Sequence, residues 1–193
     1  MKSIINLPAL AAVLATSAFF SGAQAAEKDA DKAKKAGGDA ASQLSAADQK
    51  FVKTAAIDGM TEVALGEMAA EKAAKPEVKE FGTMMVTDHG KANTELMALA
   101  TAKGMTLPGK LDKEHQAKVD KMAKLEGEAF DKAYVTEMVA AHKKAVSLFE
   151  NASKSLKDEE LKGFAEKTLP VLKTHLEHAQ GHGKHGGAAK KDA

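Results

Sequence analysis

Four ionisable side chains, Glu62, His89, His142 and His175, lie on the apolar stripes of four segments that read as separate helices. Successive helical residues turn by about 100°, so positions seven or eleven apart lie within about 20° of each other. Glu62 is seven residues from Ala55 and Ala69 and eleven from Phe51. His89 is seven from Leu96 and eleven from Val78, and His142 is seven from both Val135 and Phe149. His175 is eleven from Phe164 and four from Ala179. Each helix therefore aims one such group at the core. Neutral imidazoles and a carboxylate are ligands for Zn, Cu or Fe, and bundle interiors are where such sites are built. A carboxylate buried alone costs several kcal/mol or takes up a proton, so Glu62 needs partners that facing histidines can supply.

The same set also fits a buried hydrogen-bond network, with the histidines satisfied by Glu62, Tyr134 and backbone carbonyls. That is the commoner fate of an inward histidine, and it is the favoured expectation. Metal binding through Glu62, His89, His142 and His175 is the alternative. A di-iron carboxylate centre needs Glu-x-x-His on two helices, but Val86, Val139 and Leu172 stand three before the inward histidines. Asp112-Lys113-Glu114-His115 has the spacing once, at a helix start. His175 is expected in the C-terminal part of its helix, off the level of the others. Asp88 points about 100° away from His89 and reads as a surface or interhelical contact. Met84, Met85, Met97 and Met138 read as core filler rather than copper ligands. His178, His182 and His185 form a short His-rich tract of a kind that binds transition metals, but as a solvated tail it would bind weakly.

The elements that position these residues follow from periodicity and caps. Ser45 and Asp48 resemble a capping box opening helix one. Pro76 ends that helix near Ala74 and starts the next with Glu77 in its first turn. Gly104 closes helix two, and Asp112 caps helix three, which Gly127 is expected to kink or split. Asp158 caps helix four, and Pro170 inside it frees the carbonyl of Glu166. No segment has a strand period. The expected fold is all-α, an antiparallel four-helix bundle over residues 44–180.

Residues 1–25 read as a secretory signal peptide: Lys2, an apolar run from Ile4 to Phe20, then Ala23-Gln24-Ala25 as a cleavage site. Residues 26–43 read as a disordered spacer and residues 181–193 as a His/Gly/Lys-rich disordered tail. The mature chain has no apolar stretch long enough to span a bilayer. The expected location is the periplasm, with association with the outer membrane as a further option. The 193 residues include no Cys, which rules out thiolate ligands and disulfides. The 28 basic residues, all Lys, are balanced by 27 acidic ones and form no isolated stripe, which argues against nucleic acid as a partner. An envelope protein partner is compatible with this surface.

Glu62–Ala69, Met85–His89, Phe130–Tyr134 with His142, and Leu169–His175 together resemble a bacterial family of exported ferritin-like four-helix bundles. Its members are usually described as a domain of unknown function or as an outer-membrane protein. The resemblance runs from about Asp48 to Ala179 and implies a ferritin-like fold and an envelope location, with no established activity. The expected function is therefore a binding or stress-related structural module of the envelope. Metal binding comes next, and a ferritin-like metallo-oxidase last. No residue set points to nucleophilic catalysis, so an enzyme is the lesser expectation.

Overall fold

The computed structural model describes residues 44–185, with side chains to residue 183. The expected signal peptide and spacer, and the chain after His185, lie outside the described residues. Those described are all-α, with no strand among them: α1 Ala46–Lys72, α2 Pro76–Ala102, α3 Lys113–Ala123, α4 Gly127–Ser155 and α5 Glu159–His185. The caps act as their residue types dictate. Ser45 and Asp48 form a reciprocal capping box, Pro76 stands at the start of α2, and the Asp112 carboxylate accepts from the His115 amide at 2.9 Å. Asp158 accepts from the Leu161 amide at 3.0 Å. The expected break falls at Gly127, whose φ of 57° lies in the left-handed region that favours glycine.

Contacts at the two ends fix the topology. At one end Asp48, near the start of α1, accepts from the Lys157 amide between α4 and α5 at 3.0 Å. There Lys103, just past α2, bridges Asp158 at 2.7 Å and Glu160 at 2.6 Å. At the other end Asp131, near the start of α4, accepts from the Ala74 and Lys75 amides between α1 and α2, each at 2.9 Å. Thus α1 and α5 run one way, and α2 and α4 the other. The neighbours around the bundle are α1–α2, α2–α5, α5–α4 and α4–α1, and every such pair is antiparallel. The chain between α2 and α4 has to travel back along the bundle, and α3 lies in that crossover, packed on α1 and α4.

α5 continues through Gly181 to His185 rather than fraying at the glycines. The reason is tertiary: the rings of His178 and His182 pack on Phe81 of α2, with centroids 6.4 and 5.6 Å away. This extension puts His175 near the middle of its helix, so all four inward polar residues lie at mid-helix. Between α1 and α2 the backbones nearly touch. A Cβ on Gly82 would lie 2.7 Å from both the Gly66 carbonyl and the Ala69 side chain. That approach brings Glu62, one turn from Gly66, against His89.

The apolar core falls into two clusters. One gathers Phe51, Val52, Leu96, Phe149, Leu161 and Leu172, and the other Leu65, Phe81, Met85, Phe130, Tyr134 and Met138. In each long helix the polar residue stands between the residues given to one cluster and those given to the other. Glu62, His89, His142 and His175 form a buried polar layer between the two halves.

Candidate metal centre

The layer is built from one helix each: Glu62 from α1, His89 from α2, His142 from α4 and His175 from α5. All four are buried. Three ring nitrogens converge. His89 Nε2 lies 3.4 Å from His142 Nε2, which lies 3.3 Å from His175 Nδ1. One nitrogen from each of these histidines lies within 4.8 Å of the others. Two imidazole nitrogens sharing one tetrahedral ion at about 2.0–2.1 Å stand about 3.3 Å apart, so the spacing suits a common ion.

The opposite nitrogens decide where the protons are. His142 Nδ1 lies 3.0 Å from the Met138 carbonyl oxygen and donates to it. His175 Nε2 lies 3.0 Å from Asp88 Oδ2 and donates to that carboxylate. Each ring is neutral and carries one proton, so the inner nitrogens of His142 and His175 present bare lone pairs to each other across 3.3 Å. His89 Nδ1 faces Glu62 Oε2 at 3.1 Å. When it donates there, His89 Nε2 becomes a third inward lone pair. With Met138 and Asp88 accepting from the outer nitrogens, no proton lies between His142 and His175.

The electrostatics keep the histidines uncharged. Burial, then the neighbouring His142 and His175, hold His89 well below the usual histidine range. Burial, with His175 adding to it, lowers His142 to about 4 against a smaller opposing pull from the Met138 carbonyl. Burial also lowers His175, although Asp88 pulls the other way. Burial, then Asp58 and Glu137, push Glu62 up to about 8.

Among the described residues, two buried side-chain polar atoms accept or donate no hydrogen bond: Glu62 Oε1 and the Tyr134 hydroxyl. Glu62 Oε1 lies 3.5 Å from His142 Nδ1, but that proton goes to Met138. Tyr134 was expected to satisfy a histidine, and it does not. A cavity of about 20 Å³, room for a single water, is lined by Glu62 and His89 together with Asp58, Asn93 and Phe164.

The sequence-derived set thus divides. His89, His142 and His175 bring ligand atoms together, while Glu62 stands behind His89 as its outer partner. Asp88 makes the interhelical contact expected of it, and its hold on His175 is an orienting role that the sequence did not signal. His115 is outside the layer, bonded to Asp112 at 2.8 Å and Asp58 at 3.2 Å. Met85 and Met138 are core residues, whereas Met97 is half-exposed.

Among solved structures, the fold is similar to a DUF305 fragment from Deinococcus radiodurans, with a TM-score of 0.65 at 13% identity, covering 74% of this chain and 98% of that one. It is also similar to CopM in the Cu(II)-bound form, with a TM-score of 0.62 at 17% identity, covering 72% and 96%. At these identities the likeness establishes the fold. No curated protein matches the chain. Residues 33–181 match the family described as "Domain of unknown function (DUF4142)", and the chain belongs to that family.

Proposed function

We propose that this protein binds a divalent transition-metal ion in its core through His89, His142 and His175, with Asp88, Glu62 and the Met138 carbonyl holding the rings in the binding tautomer. The observation that carries this reading is the pair of bare lone pairs of His142 and His175 facing each other at 3.3 Å. A cation between them turns a repulsive contact into two bonds, and ligand histidines characteristically give their other N–H to a carboxylate or carbonyl. Three imidazoles without a carboxylate ligand suit copper or zinc better than iron. The Cu(II)-bound state of CopM, a protein of similar fold, supports the choice of copper.

Binding, rather than turnover, fits the surroundings. The cavity at the layer has room for about one water. When bound, the ion supplies a positive charge that Glu62 can balance by giving up its proton. A di-iron oxidase lacks its carboxylate ligands here. We place the protein in the periplasm, exported by residues 1–25, as a binder or buffer of metal. In support, no helix among the described residues is long and apolar enough to cross a membrane.

The test is to load the mature, untagged protein anaerobically with Cu(II), Zn(II) and Fe(II) separately and measure retained metal by mass spectrometry. About one ion of copper or zinc per chain is expected after desalting. Substoichiometric metal in all three cases would leave a structural network as the better account.

A further inference from the structure

His178 and His182 lie in the C-terminal part of the α5 helix, against Phe81. His178 and His182 stand four apart on α5, the spacing that lets two imidazoles on one helical face share an ion. Their ring centroids are 6.5 Å apart. Phe81 lies against both, with His178 stacked on it at an interplanar angle of 8° and His182 tilted at 44°. Packing by the ring faces restrains both side chains. The two rings, with Thr174, Glu177 and Gly181, line an open surface groove of about 400 Å³. Gly181 places no side chain there, and a Cβ at that position would meet nothing within 4 Å. Two imidazoles four apart at one groove are donors for the same borderline cations as the buried triad.

The groove is also close to the core site. Phe81 touches His175 as well, at a centroid separation of 6.5 Å. The outer nitrogen of His175 is bonded to Asp88, whose side chain is 34% exposed. One face of α5 therefore runs from the surface pair, past Phe81, to a triad histidine whose partner carboxylate reaches solvent.

We propose that His178 and His182 form a second, outer site for a divalent transition cation, Cu(II) or Zn(II), from which the buried triad is filled. The filling step rests on the metal-binding reading of the triad; the outer site itself does not. With only two histidines on an open face, it binds more weakly than the triad and exchanges faster.

The experiment uses the full mature chain and Zn(II) or Cu(II) alone as the probe. In a His142→Ala variant, which removes a triad ligand, titration calorimetry is expected to retain one weak equivalent. His178→Ala and His182→Ala added together should abolish that equivalent. In the otherwise wild-type chain, the same double substitution should leave tight binding at equilibrium and slow stopped-flow filling about tenfold, as expected for loss of a local ion reservoir. Circular dichroism establishes that each variant is folded, and His178→Gln with His182→Gln serves as a second pair should the alanines unfold the end of α5. A double variant that keeps the weak equivalent, or that fills as fast as wild type, overturns the proposal. If wild type lacks tight binding but the weak equivalent responds to the double substitution, the triad reading fails while the outer site stands.

Discussion

The ends of the bundle and its middle treat buried polar groups in opposite ways. At the ends, Asp48 and Asp131 are as buried as the central residues, yet each is fully engaged. Asp48 accepts from the Ser45 amide and hydroxyl and from the Lys157 amide. Asp131 accepts from the amides of Ala74 and Lys75. Both satisfy backbone donors left over where helices begin and turn, so they serve the fold. In the middle, two histidine lone pairs face each other, Glu62 Oε1 and the Tyr134 hydroxyl go without partners, and the inner nitrogens converge. Buried polar groups in native proteins are nearly always paired. A cluster that departs from this in one layer, while the ends comply, marks the layer as built for something other than holding the chain together.

Substitutions can break that contrast. The largest effect is expected from His142→Leu, which removes a central ligand. Metal affinity should fall by more than the about 10–100-fold typical of losing an outer partner. The metal-free protein should lose little stability, because an apolar side chain of similar size replaces a group facing another lone pair. Isothermal titration and denaturant melts of the same sample measure both. A large loss of apo stability with unchanged metal binding would reverse the assignment.

Asp88→Asn should come next. It keeps the size of the side chain but removes the charge that fixes the His175 proton, and affinity should drop about 10–100-fold. Asp131→Ala should do the converse. It strands two amides at the α1–α2 turn, costing about 1–3 kcal/mol in urea melts, and leaves metal affinity unchanged.

The smallest effect sharpens the contrast through pH. Glu62 is raised from 4.5 to about 8 in the folded protein. The folded state therefore holds its proton more tightly, and the associated stability is complete below about 4.5 and lost as pH rises towards about 8. His142 is lowered from 6.5 to about 4, so its contribution is complete above 6.5 and lost as pH falls towards 4. Between about 4.5 and 6.5 the two oppose each other; above 6.5 only the Glu62 loss remains. Metal-free Glu62→Gln should accordingly show a flatter melting temperature between pH 6.5 and 8 than wild type. Equal slopes in thermal melts would show that Glu62 does not titrate in that range.

Much of the fold was legible because it rests on local rules. The apolar stripes, the Ser45–Asp48 box, Pro76 and Gly127 each act within a few residues of themselves. The inward direction of Glu62, His89, His142 and His175 followed from the same helical arithmetic. What was not legible depends on contacts distant in sequence. The level of His175 was misjudged because the end of α5 is held by Phe81, across the bundle. Asp88 holds His175 from another helix, 87 residues away, and Asp48 reaches an amide 109 residues away. Spacing along one helix carries no trace of such pairings. Nor could it separate a network from a metal site, since the two differ only in which nitrogen of each ring faces its neighbour.

The polar layer has one more consequence, for topology. His89 and His142 are 53 residues apart, and His142 and His175 are 33 apart. An ion held by all three would tie α2, α4 and α5 at one point and close both intervening segments as loops. Fastening distant parts of a chain restricts its unfolded ensemble, more so for longer loops. Disulfides commonly do this in other chains, and this chain contains no cysteine. Its removable fastener would be the metal, so the stability of the bundle would report how much metal surrounds it.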